Sequence, residues 1–310
     1  MTTSTHGDRR TSVGPGTALA TVLAFFEADG CRDPSAAWQA FTGSWNWAAP
    51  LPAAVPAAVP AARVGQGPVV RPVDGGFRLS GSWRLPAYGA RGPWLVLPLA
   101  PATAAGPDLF VVSSKLLPGT AHPGAVRDRT GQDGPGEPFR LDDAYVPAGF
   151  ATHAAGTPLR PGDAAFHWTA SAALALGAAR RLTDLRGGAA AGTVGEAASR
   201  AAAAATGLAA VLHDERTSLA AALHGAPTAR QGVPSPFGER LASQLRRTAA
   251  TVHQVVMSVY DHALAARAGD GAHPLVRLIE ASAPILLQAR YSMELLPPDD
   301  RTSPQEGLTR

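Results

Sequence analysis

The chain has 310 residues, of which 45% are hydrophobic and 16% charged, and its formal net charge is +3. This balance is typical of a globular protein with a sizeable core and excludes a wholly disordered chain. The length predicts about two domains. The arginines are scattered, and pairs such as Arg180-Arg181 and Arg246-Arg247 have no interleaved aromatic residues. We interpret these pairs as solvated helix faces, so no nucleic-acid partner is expected.

Cysteine usage and apolar runs predict where the protein resides. Cys31 is the only cysteine, which excludes an internal disulfide and fits a reducing, cytoplasmic setting. Arg9-Arg10 before the apolar run 17–26 resembles a twin-arginine export signal, but Glu27-Ala28-Asp29-Gly30 follows where a small-residue cleavage site is expected. The run 168–179 falls short of the roughly 18 apolar residues that span a bilayer. We therefore expect a cytoplasmic protein without a membrane segment.

The N-terminal part of the chain predicts a tail, helices and a connector, in that order. Residues 1–16 lack periodicity and are predicted to be a mobile tail. Apolar residues at helical spacing follow in 17–47, where Gly30 punctuates the pattern and Ser35 is a plausible cap for a second helix. The alanine- and proline-rich stretch 50–60 is predicted to be a stiff connector.

Residues 61–150 predict a small antiparallel β domain, because the apolar pattern changes to a period of two. Asp74-Gly75-Gly76 is typical of a hairpin turn, where glycine accepts a positive φ. The predicted strands are Val69 to Val73, Phe77 to Trp83, Trp94 to Leu99, Leu109 to Val112 and Phe139 to Val146.

Residues 160–297 predict a four-helix bundle, and 298–310 a second disordered tail. The helical period returns beyond Pro161, and each segment carries an apolar stripe. The predicted helices are Ala165 to Arg186, Val194 to Leu223, Phe237 to Ala268 and Pro274 to Leu296.

Few residues point to chemistry by themselves. The sequence has neither a glycine-rich phosphate loop in a strand-to-helix setting nor a Gly-x-Ser-x-Gly elbow. His213-Asp214-Glu215 are consecutive on a helix and cannot converge on one metal, so we interpret them as a solvent face. His167, between Phe166 and Trp168 at a predicted helix start, is either a proton-transferring base or a hydrogen-bonded interdomain histidine.

Several segments, in order, resemble the acyl-CoA dehydrogenase superfamily, including its flavin-dependent two-component monooxygenase branch. Asp74 to Trp83, DGGFRLSGSW, is similar to the family's hairpin, and Asp142 to Pro147, DDAYVP, to its strand that ends in Val-Pro. Leu176 to Arg180, LGAAR, is similar to its first bundle helix, and Asp33 to Trp38 to the last helix of its N-terminal domain. The resemblance implies an α+β, acyl-CoA dehydrogenase-like fold: a short N-terminal helical remnant, a central antiparallel β domain and a C-terminal four-helix bundle.

The resemblance also assigns site residues. Leu85-Pro86-Ala87 stands where dehydrogenases carry Trp-Ile-Thr against the flavin ring, so the threonine hydroxyl is missing at Ala87. Arg277 ends a segment, Pro274 to Arg277, similar to the start of the final helix, and Gln288 stands where many monooxygenases carry a histidine. His167 stands at the alternative base, a glutamate in the family. The implied set is His167 and Gln288 for catalysis, Leu85, Ala87 and Arg277 for the cofactor, and no metal.

Other flavin-contacting positions are also changed. Ala266-Arg267 replaces a Gly-Gly pair, and Glu280-Ala281 replaces an Arg-Asp pair. The resemblance therefore implies an oxidoreductase for an acyl thioester or small aromatic substrate in which FAD or FMN is bound weakly or not at all. Two alternatives stay open: a flavin-free, catalytically degenerate subunit that pairs with a complete paralogue, and a cofactor-free acid–base enzyme. The bundle is the expected surface for homo-oligomers.

Overall fold

The structure, a computed structural model, describes residues 13–46, 58–60, 67–73, 76–85, 94–99, 107–113, 138–153, 157–158, 163–191, 195–224, 235–265 and 274–294. Its helices are α1 (Leu19–Arg32), α2 (Pro34–Ser44), α3 (Ala164–Ala191), α4 (Glu196–Leu223), α5 (Ser235–Ala265) and α6 (Pro274–Glu294). Its strands are β1 (Trp45–Asn46), β2 (Val59–Pro60), β3 (Val69–Val73), β4 (Gly76–Arg84), β5 (Trp94–Pro98), β6 (Leu109–Ser113), β7 (Pro138–Pro147), β8 (Ala151–Thr152) and β9 (Thr157–Pro158). The chain is thus α+β, as predicted.

The described strands form two antiparallel sheets and one short parallel pair. β4 pairs with β3 and β2 on one side and with β7 on the other, and β6 lies between β5 and β8. The five predicted strands are confirmed to within one residue at each end. Two details differ from the prediction. β1 and β9 pair in parallel. β2 forms at the end of the predicted connector 50–60, where Val59 pairs with Arg84 of β4.

Trp83 joins the two sheets at the far end of β4. Its side chain is fully buried and stacks on Phe139, with ring centroids 6.0 Å apart. Its indole Nε1–H donates to the carbonyl oxygen of Pro98 on β5 at 3.0 Å. A buried tryptophan needs such a partner for its N–H, and this bond links β4 to β5 of the other sheet.

A bulge interrupts the pairing of β4 with β7. Leu79 faces Ala144 and Gly81 faces Leu141, which leaves Ser80 opposite two residues. One of them, Asp143, has a φ of 51°. Its N–H donates to Ser80 Oγ at 3.0 Å, and its carbonyl accepts from Arg78 at 2.8 Å. These bonds compensate a backbone conformation that is uncommon for a residue other than glycine.

The four long C-terminal helices pack against one another. α3 contacts α4, α5 and α6, and α5 contacts α4 and α6. The predicted segments match these helices. Their ends differ most at α3, which continues past the predicted Arg186 to Ala191, and at α5, which was predicted to reach Ala268 and is described as far as Ala265. Apolar residues three and four positions apart place Val252, Val255 and Val259 in the core, as the stripe predicts.

The backbone of the N-terminal helix α1 approaches that of α3 too closely for a side chain to fit between them. A Cβ on Gly177 of α3 would lie 2.2 Å from the carbonyl oxygen of Glu27, and one on Gly30 would lie 2.6 Å from that of Leu174. Gly30 was predicted to punctuate the helical pattern, and this is wrong: α1 continues to Arg32. The glycine is needed for contact between helices and does not end α1.

The described chain begins inside the predicted tail 1–16. Val13 is buried, and Gly14 lies against the indole of Trp45. The Gly14 N–H donates to Thr17 Oγ1 at 3.0 Å. Val13 and Gly14 are therefore packed. The contact of Gly14 with Trp45, 31 residues later, explains why local composition did not predict this. Within the described ranges, no helix combines the length and the apolar character that a membrane crossing needs.

Candidate functional site

His167 lies in the first turn of α3, at the junction between the helices and the β strands. Its side chain is 1% exposed. The imidazole stacks on the Phe41 ring of α2, with centroids 5.9 Å apart and planes 17° apart. The next residue towards the N-terminus, Phe166, meets Phe26 and Trp45 edge-on. Phe41 of α2 therefore covers the imidazole, while Phe26 of α1 and Trp45 of β1 pack on the neighbouring Phe166.

Burial changes the proton affinity of His167. Loss of hydration lowers its pKa from 6.5 to about 3, because removal from water penalises the charged imidazolium. The side chain is therefore neutral near pH 7 and holds a proton only weakly while it is enclosed. The role of His167 as a base stays a prediction. The imidazole is less basic while it is enclosed than it would be in water.

The lowered pKa makes stability depend on pH through His167. Between pH 6.5 and about 3 the unfolded chain binds a proton at this residue and the native chain does not, so stability is full above pH 6.5 and falls as the pH drops. We expect this effect to cost about 2 kcal/mol between pH 7 and pH 5. Urea denaturation of the wild type and His167→Gln at both pH values measures it. Equal pH dependence in the two proteins would contradict it.

The residues assigned to a flavin come from β4 and α6. Leu85 directly follows β4 and is half-buried against the core. Arg277 is exposed on the first turn of α6. Ala87 and the Gln288 side chain lie outside the described residues, as do Ala266 and Arg267. Leu85 lies just beyond the end of β4 that is farther from Gly76, about 30 Å from that glycine at roughly 3.3 Å per residue.

Sequence reasoning missed a buried charge cluster that holds the N-terminal helix. Glu27 of α1 is 3% exposed and accepts from Arg180 Nη1 of α3 at 2.5 Å and from Arg216 Nε of α4 at 2.8 Å. The hydrogen bond to Glu27 raises the pKa of Arg180. We call these three residues the Glu27 cluster. One signal was present in the sequence: Glu27 falls four residues after Leu23, on the apolar face of α1.

A second buried carboxylate corrects a sequence interpretation. The solvent-face prediction for His213-Asp214-Glu215 is wrong for Glu215, which is buried while its two neighbours are exposed. Glu215 Oε1 accepts from Thr248 Oγ1 at 2.7 Å and from Gln244 Nε2 at 2.5 Å. These partners lie on α5, so the carboxylate joins α4 to α5. Within the described ranges no group of three or more His, Cys, Asp or Glu side chains could hold a metal ion.

Comparison with known proteins returns similar structures but no related sequences. No family model and no curated protein matches the chain. XiaF from Streptomyces sp., solved in complex with FADH2 and glycerol, is 18% identical over 90% of this chain and 80% of XiaF, with a TM-score of 0.42. Nitrososynthase from Micromonospora carbonacea var. africana is 20% identical over 90% of this chain and 82% of its own, with a TM-score of 0.38.

An acyl-CoA dehydrogenase is also among the similar structures. The enzyme from Geobacillus kaustophilus is 12% identical over 77% of this chain and 67% of its own, with a TM-score of 0.35.

Proposed function

We propose that the chain is an acyl-CoA dehydrogenase-like oxidoreductase that binds FAD or FMN weakly and acts on a small molecule, either an acyl thioester or a small aromatic compound. The observation that carries the proposal is the pairing of β4 with β7. β4 contains Gly76 to Trp83 of the motif DGGFRLSGSW, and β7 contains the whole of DDAYVP. DDAYVP lies opposite the first half of β4, from Pro147 against Gly76 to Ala144 against Leu79. Two motifs that are far apart in the sequence and pair directly support a shared scaffold more strongly than either motif does alone.

Two of the described residues would suit contacts that a bound flavin needs. Leu85 keeps part of its aliphatic side chain accessible where β4 ends and offers an apolar surface to the flat ring. Arg277 offers an exposed guanidinium on α6, which suits a phosphate group. Neither replaces the hydroxyl that is missing at Ala87, so the affinity is low. A bound flavin would supply two-electron oxidation or reduction of the substrate.

The chain's own contribution is orientation and proton transfer. Leu85 would hold the ring against the β strands, and Arg277 would neutralise the charged end of the cofactor. His167 would take a proton from the substrate when its enclosure is opened, because the unperturbed imidazole titrates near neutral pH. Gln288 would contribute a polar contact from α6.

The missing hydroxyl can be restored. Ala87→Thr should tighten flavin binding by about two- to tenfold, the effect of one neutral hydrogen bond of roughly 0.5–1.5 kcal/mol. Quenching of flavin fluorescence on titration with each protein measures the affinity. Ala87→Val is the matched control, since it has the shape of threonine without the hydroxyl, and its affinity should stay at the wild-type value. Absence of quenching in all three proteins would count against the proposal.

A second candidate is a flavin-free subunit that pairs with a complete paralogue. The alanine at position 87 favours it, because a methyl side chain donates no hydrogen bond to a flavin ring. α4 and α5 also expose large apolar side chains, at Val211, Met257 and Tyr260, that suit association with a second copy or a paralogue. A colourless protein that purifies with a flavin-containing partner would favour this candidate. A yellow homo-oligomer would favour the first.

A further inference from the structure

The two N-terminal helices differ in how they are attached to the rest of the molecule. α1 is fixed by backbone contact with α3 at Gly30 and Gly177 and by the Glu27 cluster. Neither kind of attachment extends to α2, which is 11 residues long and follows α1 after one residue, Asp33. Short helices depend on tertiary contacts for their stability. α2 also packs on α3 and α6, but without such backbone contact or ion pairs, so it is the part of this region that can move while α1 stays in place.

Asp33 combines a joint with a helix cap. Its backbone is extended, with φ −151° and ψ 96°, between two helical segments. Its carboxylate accepts from the Ala36 N–H at 3.0 Å, and Pro34 occupies the first turn of α2. The cap keeps the first turn of α2 intact while the backbone at Asp33 rotates. α2 can therefore turn as one unit.

The face of α2 that points inward covers His167. Phe41 stacks on the imidazole, and Trp38 lies against Phe41 with ring centroids 6.0 Å apart. Both residues are buried, whereas Gln39 and Ala40 between them are exposed. The contact between α2 and the imidazole is thus made by one aromatic ring, which leaves with the helix if α2 turns outward.

The C-terminal end of α2 continues directly into β1 and is bonded to β8 by the hydroxyl of Thr152. Thr152 of β8 is buried, and its Oγ1–H lies 3.1 Å from the carbonyl oxygen of Trp45 and 3.5 Å from that of Thr42. Beyond this point β1 pairs with β9 over only two residues. Thr152 itself lies on the edge strand β8, which pairs with β6 over two residues.

We propose that α2 is a lid over His167, hinged at Asp33 and held closed by Thr152. The use of His167 as a base rests on the proposed function. The motion of the lid does not depend on it. When the lid opens, water reaches the imidazole and its pKa returns towards the ordinary value, which restores its basicity. The closed lid keeps the imidazole away from water and neutral.

Hydrogen exchange of the wild-type protein is the first test. Amides 38–44 of α2 should exchange at one common rate that is faster than that of amides 23–32 of α1, because a hinged unit opens cooperatively. The measurement needs neither flavin nor substrate, so its failure is distinct from failure of the proposed function. Equal protection of α1 and α2 would overturn the lid, as would a gradient of rates along α2 that indicates fraying from one end.

Variants connect the lid to Thr152 and to His167. Thr152→Val should speed exchange in α2 by about fivefold, the effect of one lost hydrogen bond, with α1 unchanged. Modification of His167 by diethyl pyrocarbonate, followed by mass spectrometry, should speed up by the same factor. Thr183→Val is the matched control, because it removes a buried hydroxyl that bonds only within α3 at Arg180. Unchanged His167 reactivity in Thr152→Val, or an equal rise in Thr183→Val, would overturn the proposal.

Discussion

Replacing Gly177 by alanine should destabilise the protein by about 3 kcal/mol or more, since a methyl group cannot fit between the backbones of α3 and α1. Its Cβ would lie 2.2 Å from the Glu27 carbonyl oxygen and 2.7 Å from the Cys31 nitrogen. Backbone atoms cannot rotate away as a side chain can, so the helices must separate. Thermal unfolding followed by circular dichroism should show a Tm lower by roughly 6–12 °C.

Gly188 provides the control within the same helix. A Cβ there meets nothing within 4 Å, so Gly188→Ala should only add helix propensity, of roughly 1 kcal/mol, and raise the Tm slightly. The two substitutions are chemically identical and differ only in their surroundings. A Gly177→Ala protein as stable as Gly188→Ala would mean that α1 does not pack on α3 as described.

The second large effect comes from the Glu27 cluster. Changing Arg180 and Arg216 together to methionine leaves a carboxylate that is 3% exposed without its two cations. The two arginine side chains are themselves 47% and 38% exposed, so solvent already weakens each pair. We therefore expect a loss of about 3 kcal/mol, the lower end for a broken buried pair. Urea denaturation at pH 7 measures it.

Removal of the buried charge should reverse most of that loss. Adding Glu27→Leu to the double variant replaces the cluster by apolar groups, which is often close to neutral for stability. The triple variant should therefore be more stable than the double variant, although it differs more from the wild type. If the triple variant is the least stable of the series, Glu27 stabilises α1 through contacts other than these ion pairs.

Both predictions concern the position of α1, which matters for the candidate site. α1 contributes Phe26 to the aromatic group that encloses Phe166 and His167. A variant that releases α1 should therefore expose His167 as well as lower stability. By contrast, the lid variant Thr152→Val should expose His167 while α1 stays protected, so the two kinds of variant separate anchoring from opening.

Much of the fold could be predicted from residue order. The alternation of apolar and polar residues in 77–83 placed β4, and spacings of three and four placed α3 to α6. These patterns depend on neighbours within a few residues, so they can be recognised in the sequence. The candidate site was only partly accessible in this way. His167 was singled out, but its enclosure by Phe41 depends on packing against a residue 126 positions earlier.

Local pattern was sufficient for the identity and the ends of most elements, and for the motifs that resemble the acyl-CoA dehydrogenase superfamily. It was not sufficient for Glu27, Gly30 or Glu215, which were interpreted from their neighbours in the chain. Glu27 meets partners 153 and 189 residues away, and Glu215 meets α5 residues 29 and 33 positions later. The burial of a charge and the need for a glycine are properties of the space between packed helices. That space exists only once the segments have come together.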